Sequence, residues 1–431
     1  MTTPSFKTLV PLHQQTFSLD HAAFTKLLAN TENLLIIQDL DGVCMGLVKD
    51  PLNREIDRAY VEAVTAYDGN FFVLTNGEHI GKRGINGIVA KALEQDIGDL
   101  HLPGLAAGGV QWQNRHGQLV HPGVSDAELA FLRSVPERIE TTLREFLSHA
   151  NHGLSADQLT HCIEASVLDN VASPTANLNT FYEKLADPTL YETIQEQMKA
   201  LMDQLLTEAK QQGLGDSFFV HYAPNLGRDN NGNEVVWWAN ETTSGTTDFQ
   251  FMLRGAIKEA GVLALLNRYY FEKTGTHPLG IGFNARQAPR TMEDMLAMVK
   301  QDFDPNHMPL IVGVGDTVTS QAVESENGVV FKRGGSDRNF LQLIQNIGQA
   351  FDNGNLATYV DSSGGELKNR RAIQVETRDG IPTVTQGPGD PRDNSDPLRL
   401  NVVFPGGYQQ YCQAFQTGAA NRHREISEGL Y

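Results

Sequence analysis

Two aspartates separated by one residue follow a short apolar run near the N-terminus. The run is residues 34–38 (LLIIQ), and Asp39, Leu40, Asp41 and Gly42 come directly after it. Side chains at positions i and i+2 can leave a strand on the same side, and Gly42 permits a sharp turn. Two close carboxylates repel each other unless a cation or a shared proton separates them, and a divalent cation such as Mg²⁺ prefers oxygen ligands. The pattern is typical of a metal-assisted site or of an Asx turn that closes a strand, and the apolar run in front favours the site.

Two further apolar runs end in polar residues of the same kind. Residues 71–75 (FFVLT) end in Thr75 and lead into Asn76 and Gly77, whose hydroxyl, amide and backbone N–H groups can bind a phosphate oxygen. Residues 309–315 (PLIVGVG) lead into Asp316 and Thr317, a further metal carboxylate and a hydroxyl that can orient it. Each motif alone is a common turn. Because ligands of open α/β sheets bind at the carboxyl ends of the strands, the three motifs together predict one metal–phosphate site.

The elements that must position these residues are continuous apolar runs separated by helical segments. The runs at 34–38, 71–75, 309–315 and 356–361 have the pattern of central strands buried on both faces. Strands that alternate with helices predict an α/β fold with a mostly parallel sheet. The last dozen residues of the chain are polar, which predicts a frayed end.

The middle of the chain has a different pattern, and we interpret residues 121–250 as an inserted α+β cap domain. The core domain is then formed by residues 1–120 and 251–431. The clearest helix of the insertion starts at Asp187 and Pro188 and stops at Gly213, with apolar residues repeating along one face. After it, FFVHYAP and EVVWWA flank the loop GRDNNGN, a pattern that predicts a hairpin.

Composition excludes several classes of protein. The formal net charge of -18 over 431 residues argues against a nucleic-acid binder, which needs clustered Lys and Arg. The cysteines are Cys44, Cys162 and Cys412, so no CxxC pair exists for a thiolate zinc site, and a disulfide framework is not expected. This cysteine usage predicts a reducing, cytoplasmic setting. No run of about 18 apolar residues is present, so no membrane span is expected.

In their order along the chain, the motifs DxDG, TN and GD resemble those of the haloacid dehalogenase superfamily. The resemblance implies a Rossmannoid core with an inserted cap and the activity of a Mg²⁺-dependent phosphatase. It implies that Asp39 attacks phosphorus to form an aspartyl-phosphate, and that Asp41 protonates the leaving oxygen and later takes a proton from water. It further implies that Thr75 binds the phosphoryl group. The Mg²⁺ ion would be held by Asp39, the backbone carbonyl of Asp41, and Asp316.

The same resemblance implies a lysine that neutralises the phosphoryl–aspartate pair. Lys258 opens an apolar helical segment and is the favoured candidate, with Arg254 and Lys300 as alternatives. The superfamily often has a second acidic residue four or five positions after Asp316, where this chain has Ser and Gln. Either Asp337 takes that role after an insertion, or it is an ordinary N-cap of the next helix.

Longer segments, including VLTNGEHIGKRG, IEASVLDNVASPTANLN and SGTTDFQFMLRG, are similar to the glucosylglycerol-phosphate phosphatases of that superfamily. The resemblance implies hydrolysis of glucosylglycerol 3-phosphate to glucosylglycerol and phosphate, a step in making a compatible solute under salt stress. It implies the glucosylglycerol-phosphate synthase as a functional partner. Hydroxyl-rich ligands are read by paired donors and acceptors, so the candidate substrate ligands are polar residues of the phosphate loop and the cap. They are Asn76, Glu164, His221, Asn225 and Asp248.

Other functions remain compatible with the same motifs. A phosphatase for sucrose phosphate or trehalose phosphate would differ only in the cap. A phosphomutase would return the phosphoryl group to a sugar and release no phosphate. A catalytically silent module that binds sugar phosphates or regulates the synthase would need no nucleophile and acid two residues apart, so the set Asp39, Asp41 and Asp316 argues against it.

Overall fold

A computed structural model describes residues 16–228, 234–240, 243–325, 328–366, 372–378, 381–388 and 396–428. Its helices are α1 His21–Asn30, α2 Arg58–Val64, α3 Ile85–Leu93, α4 Asp126–His149, α5 Ala156–Ser166, α6 Asn179–Lys184, α7 Pro188–Gln211, α8 Lys258–Thr274, α9 Met292–Asp302, α10 Arg338–Ala350 and α11 Gly407–Glu428. Its strands are β1 Leu34–Gln38, β2 Phe71–Leu74, β3 Gly104–Ala106, β4 Gln111–Gln113, β5 Leu119–Val120, β6 Val167–Leu168, β7 Thr175–Asn177, β8 Phe218–Ala223, β9 Asn225–Arg228, β10 Glu234–Val236, β11 Asp248–Leu253, β12 Leu310–Gly315, β13 Thr319–Ser325, β14 Gly328–Gly334, β15 Leu356–Val360, β16 Gln374–Arg378, β17 Ile381–Gln386 and β18 Val402–Phe404. None of the helices in these ranges has the apolar length that a bilayer crossing requires.

The main sheet has eight strands in the order β18-β15-β12-β1-β2-β3-β4-β5. Strand β1 pairs in parallel with β12 on one side and β2 on the other. The parallel pairing continues to β15, β18 and β3, whereas β4 and β5 are antiparallel. The predicted α/β fold with a mostly parallel sheet is confirmed. The carboxyl ends of β1, β2 and β12 therefore lie side by side at one edge of the sheet.

Two helical layers cover the main sheet, which explains why its central strands are apolar without interruption. Leu34 and Ile36 of β1 pack in a cluster with α1, α2, α3 and α11. Leu35 and Ile37 face the opposite way and pack in a second cluster with α8, α9 and α10. Alternate residues of a strand point to opposite faces, so a strand between two layers needs apolar residues at every position.

The C-terminal segment belongs to the first of these layers. Helix α11 runs to Glu428 and packs against α1 and α2, so residues 420–428 are helical where a frayed end was predicted, and residues 429–431 lie outside the described residues. The prediction considered only the polar residues near the end. It gave no weight to Tyr411 and Phe415, which are fully buried one helical turn apart. Phe415 contacts the rings of Tyr60, Tyr67 and Phe71.

The inserted segment forms a second, antiparallel sheet in the order β6-β7-β11-β8. One face of this sheet is apolar and packs in a cluster with α4, α5, α6 and α7. Helix α7 starts at Pro188 with the Asp187 side chain accepting from Thr189 N, as the sequence predicts. Strand β11 continues to Leu253, beyond residue 250. We call residues 121–253 the cap, which extends the predicted segment 121–250 to the end of β11, and its status as a separate domain stays a prediction.

The predicted hairpin has different flanking strands from those expected. Strand β8 pairs along its whole length with β11, and the antiparallel partner of β10 is β9. The correction has two physical reasons. Pro224 has no N–H to donate to a ladder, so it ends β8, and the alternating apolar residues of β8 are buried only if the strand joins the cap sheet.

We predict that Phe415→Ala lowers the free energy of unfolding by about 3–5 kcal/mol, because it removes a fully buried aromatic ring from a close-packed cluster. Denaturant unfolding monitored by circular dichroism would measure the change. Gln413→Ala, an exposed position two residues earlier on α11, is the matched control and should change stability by less than about 0.5 kcal/mol. Equal stability of the two variants would show that α11 does not contribute to the core.

Candidate active site

The ends of β1 and β12 and the start of α10 bring three carboxylates together. The Asp39 N–H donates to the Val314 carbonyl at 2.9 Å, so β1 and β12 remain hydrogen-bonded where β1 ends. Carboxylate oxygens of Asp39, Asp316 and Asp337 all lie within 4.8 Å of one another, and all three residues are buried. Among the residues that the structure describes, this is the cluster with the donor geometry of a metal site.

Gly42 allows the first motif to approach the third. Its φ is +79°, and a Cβ atom at this position would lie 2.1 Å from Asp316 Oδ2. Such a distance is far below van der Waals contact, so no side chain fits here unless Asp316 moves. The glycine of the DxDG motif therefore has two reasons to be glycine, a left-handed backbone and the close Asp316 carboxylate.

Lys258 is the first residue of α8, and its ammonium group contacts the carboxylate cluster. Lys258 Nζ lies 2.6 Å from Asp39 Oδ2 and 2.6 Å from Asp337 Oδ1. The two alternatives considered from sequence, Arg254 and Lys300, are both exposed. Burial alone lowers the pKa of Lys258, but Asp337 and Asp39 outweigh burial and raise this pKa above its usual range. The lysine therefore remains a cation.

Asp337 lies at the start of α10 without capping it. One carboxylate oxygen accepts from Lys258, and the other accepts from the backbone N–H groups of Asp316 and Thr317 at 2.9 and 3.0 Å. Burial alone raises the pKa of Asp337. Lys258 and the two N–H donors lower this pKa by more than burial raises it, so the net shift is downward. The sequence left two interpretations of Asp337 open, an acidic residue of the site and an N-cap of the next helix. The geometry favours the acidic residue of the site, because the Asp337 side chain forms no cap hydrogen bond at α10.

The cluster has more negative than positive charge. Burial raises the pKa of Asp39 to about 8, and Asp337 and Asp316 act in the same direction against the lowering by Lys258. Three buried carboxylates facing one ammonium group are the donor set of a hard divalent cation, which accepts carboxylate oxygens and removes their mutual repulsion. The residues present therefore fit a divalent metal, and Asp39 and Asp316 as its side-chain ligands stay a prediction. The backbone carbonyl of Asp41 as a further ligand stays a prediction.

Asp41 lies in a different environment from Asp39. Its carboxylate accepts from Arg54 Nη1 at 3.0 and 3.3 Å, and its side chain is 31% exposed. Gly77 lies beside this pair. A Cβ atom on Gly77 would be 3.8 Å from Arg54 Nη1, 3.9 Å from Asp41 Oδ2 and 3.6 Å from Thr75 Oγ1. The TN motif at the end of β2 therefore faces Asp41, and Asn76 lies within it, partly exposed.

The predicted cap residues lie at three places. His221 and Asp248 point to the face of the cap sheet opposite the apolar cluster, together with Asn177 and Gln250, as the register of β7, β8 and β11 requires. His221 contacts the Glu234 carboxylate at 2.8 Å, and Asp248 accepts from Asn177 at 2.7 Å.

The other two predicted residues are not on that face. Asn225 follows β8 and also donates to Glu234, at 3.1 Å. Glu164 is exposed on α5 and lines a cleft of about 360 Å³ with Lys82, Asp169 and Asn170.

Sequence reasoning missed two residues that link the site to its surroundings. Arg54 contacts Asp41, as described above. Glu78, three residues after Thr75, is buried, and its carboxylate accepts the backbone N–H groups of Val171, Ala172 and Ser173 of the cap at 2.7–2.8 Å. A charged residue directly after a phosphate-loop motif could have suggested Glu78. Nothing in the sequence distinguishes Arg54 from other loop arginines.

The chain has a mostly parallel sheet whose central strand ends in a buried carboxylate that contacts a lysine, with one acidic residue after the adjacent strand and another at the start of α10. This fold and site define the class of haloacid dehalogenase-type phosphatases. The chain belongs to the glucosylglycerol-phosphate phosphatase family, whose model matches residues 33–419. This confirms the resemblance inferred from the sequence, and the chain is a phosphoric monoester hydrolase.

The chain can be compared with individual known proteins, both in sequence and in structure. The glucosylglycerol-phosphate phosphatase of Synechocystis sp. is 59% identical over 426 residues, which cover 97% of this chain and 100% of that protein. Among solved structures, the C-terminal domain of Candida albicans trehalose-6-phosphate phosphatase aligns with a TM-score of 0.43 and 9% identity, covering 94% of this chain and 97% of that one. Aspergillus fumigatus trehalose-6-phosphate phosphatase aligns with a TM-score of 0.35 and 10% identity, covering 94% and 98%.

We predict that Gly42→Ala lowers kcat by about 10²-fold and raises the concentration of metal needed for half-maximal activity. The reason is that the new methyl group displaces Asp316 by about 1 Å or more. Initial rates over a Mg²⁺ titration would measure both effects.

Gly98→Ala is the matched control for this variant. Gly98 also has positive φ, at +55°, but a Cβ atom there would meet nothing within 4 Å. It should show backbone strain as lower stability with unchanged kcat. If the two variants lose the same activity, contact with Asp316 is not the reason for the glycine.

Proposed function

We propose that this chain hydrolyses glucosylglycerol 3-phosphate to glucosylglycerol and inorganic phosphate through an aspartyl-phosphate on Asp39. The observation that carries the mechanism is the 2.6 Å contact between Lys258 and Asp39 in a buried acidic cluster. The substrate is proposed from the family match and from the relative that is 59% identical across its whole length.

Asp39 is the proposed nucleophile, and its surroundings support that role. Its Oδ1 accepts the Leu40 N–H at 2.8 Å, and its Oδ2 accepts from Lys258. These contacts fix the direction of the carboxylate before substrate binds. Lys258 supplies part of the positive charge needed where an anionic carboxylate approaches a phosphate dianion.

Mg²⁺ is the proposed cation, held by Asp39 and Asp316 and by the backbone carbonyl of Asp41. When bound, it offsets the charge of the carboxylates and of the transferring phosphoryl group. Asp337 is the proposed third acidic residue of the cluster, and its contacts to Lys258 and to two backbone N–H groups hold the lysine and the end of β12 in place.

Asp41 is the proposed acid and base. In the first step, the Asp39 oxygen bonds to phosphorus, the bond from phosphorus to the glycerol oxygen breaks, and protonated Asp41 gives its proton to that oxygen. In the second step, Asp41 takes a proton from water, the water oxygen bonds to phosphorus, and the Asp39–phosphorus bond breaks. An alkoxide is a poor leaving group, so the acid contributes about 10²–10⁴-fold to the first step.

The loop after β2 is the proposed phosphoryl site. The Thr75 hydroxyl is buried and accepts the Gly77 N–H at 3.2 Å, which leaves its own proton to donate. Asn76 adds an amide from the same loop. These groups lie beside Asp41, which is where the bond to the leaving oxygen must break.

The polar face of the cap sheet is the proposed binding surface for the glucosyl and glycerol hydroxyls. His221 and Asp248 lie on it, with Glu234 and Asn225 adjacent, and Glu164 contributes from the cleft beside Asp169. Carboxylates, an imidazole and amides on one surface supply both donors and acceptors, as polyol recognition requires. The glucosylglycerol-phosphate synthase is the proposed source of the substrate, and we place the reaction in the cytoplasm.

We predict that phosphate release from glucosylglycerol 3-phosphate is abolished by EDTA, restored by Mg²⁺ and lost in Asp39→Asn, because the variant has no carboxylate to attack phosphorus. The assay would measure inorganic phosphate from glucosylglycerol 3-phosphate, sucrose 6-phosphate and trehalose 6-phosphate. Equal kcat/KM on all three would exclude the proposed specificity. Retained turnover in Asp39→Asn would exclude the aspartyl-phosphate.

We also predict that Asp41→Asn lowers kcat on glucosylglycerol 3-phosphate by about 10²–10⁴-fold and affects p-nitrophenyl phosphate much less, because an aryl oxide leaves without a proton. Steady-state kinetics with both substrates would test this. The same loss on both substrates is the result that contradicts an acid role.

A further inference from the structure

Arg54 is a buried cation with every guanidinium nitrogen engaged. It follows the short helical turn Pro51–Asn53, and its side chain is 10% exposed. Nε donates to the Pro51 carbonyl at 3.2 Å, Nη1 donates to both oxygens of Asp41, and Nη2 donates to the Arg83 carbonyl. Because the guanidinium is planar and rigid, two backbone carbonyls fix its orientation, and this orientation sets where the Asp41 carboxylate lies.

Arg83 continues the chain of contacts into the cap. Its side chain is buried, and it donates from Nη1 to the Val167 carbonyl at 2.7 Å and from Nη2 to the Glu164 carbonyl. These carbonyls come from the last turn of α5 and the start of β6. Carbonyls at a helix C-terminus carry partial negative charge and attract a guanidinium. Two arginines therefore connect the Asp41 carboxylate in the core to the α5–β6 junction of the cap.

We propose that Arg54 is a positioning residue that orients the Asp41 carboxyl group toward the leaving oxygen. We also propose that Arg83, through its contacts with the cap, makes this orientation depend on the packing of the cap against the core. The inference rests on the acid–base role of Asp41 in the proposed function. Proton transfer requires the carboxyl group within hydrogen-bond reach of the leaving oxygen. A misplacement of about 1 Å is enough to remove about 10²-fold of rate.

A merely structural arginine, or one that binds the phosphoryl group, would have different consequences. Loss of either would weaken turnover of every phosphate ester alike or would raise KM. Loss of acid positioning damages only substrates whose leaving group needs a proton. Leaving-group dependence therefore separates the three roles.

The experiment compares Arg54→Gln with wild type on glucosylglycerol 3-phosphate and on p-nitrophenyl phosphate, using the full chain with Mg²⁺. We expect kcat on the sugar phosphate to fall about 10²-fold, and kcat on the aryl phosphate to change only a few-fold. Arg58→Gln is the matched control, since Arg58 is half exposed and pairs with Glu62 on the surface of α2. It should leave both rates unchanged.

Two further variants extend the test, and the first of them also serves if Arg54→Gln folds poorly. Arg54→Lys retains the charge and should recover part of the sugar-phosphate rate. In the Asp41→Asn background, adding Arg54→Gln should cost no further rate on the sugar phosphate, because the group to be positioned is already gone. Equal loss on both substrates in both Arg54 variants, or a full further loss in the double variant, would overturn the proposal.

The link to the cap is tested with Arg83→Gln. This variant should show the same selective loss on the sugar phosphate, and the double variant Arg54→Gln/Arg83→Gln should lose no more than Arg54→Gln alone. Additive losses would mean that the two arginines act independently and would overturn the link.

Failure of the proposed function gives a different result. Wild-type enzyme that hydrolyses p-nitrophenyl phosphate but releases nothing from glucosylglycerol 3-phosphate contradicts the proposed substrate. The positioning role is then tested with the alkyl phosphate that the enzyme does hydrolyse, since it depends on the basicity of the leaving group and not on the sugar.

Discussion

Like-charge repulsion is the constraint on which the site depends: Asp39, Asp316 and Asp337 lie within 4.8 Å of one another in a buried pocket. Burial of an unpaired charge is costly, and groups from several elements of the fold provide positive charge or hydrogen-bond donors to these carboxylates. Lys258 lies at the start of α8, where the helix dipole disfavours a cation, so its position is explained by the two carboxylates it contacts and not by the helix. Two backbone N–H groups at the end of β12 donate hydrogen bonds to the remaining oxygen of Asp337 and stabilise its negative charge. A divalent cation bound to this cluster would complete the charge balance.

The two aspartates of the first motif differ in environment despite their spacing of two residues. Asp39 is buried against an ammonium group that remains charged, which suits its proposed role as the carboxylate that bonds to phosphorus. Asp41 is partly exposed and contacts the fork of Arg54, beside the loop where the leaving oxygen would lie. One strand end can therefore supply a nucleophile and a proton carrier, because Asp39 joins the carboxylate cluster whereas Asp41 contacts Arg54.

The strand ends were predictable from sequence, since buried parallel strands are continuous apolar runs and polar residues directly after them must lie at one edge of the sheet. The basic residue of the site could be narrowed to Lys258, Arg254 and Lys300. Lys258 was the favoured candidate because it opens an apolar helix. Asp337 could not be placed, since strands β13 and β14 lie between it and Asp316, 21 positions earlier, although the Asp316 N–H donates to the Asp337 carboxylate. Arg54 and Glu78 contact mainly backbone groups or distant residues, and such contacts leave no periodic pattern in a sequence.

The contact between Glu78 and the cap has a thermodynamic consequence. Glu78 belongs to the loop that carries Thr75, and it accepts three successive N–H groups from the segment that precedes β7. Any movement that separates this loop from the second sheet would leave three N–H donors without the Glu78 acceptor, so the contact opposes such a movement.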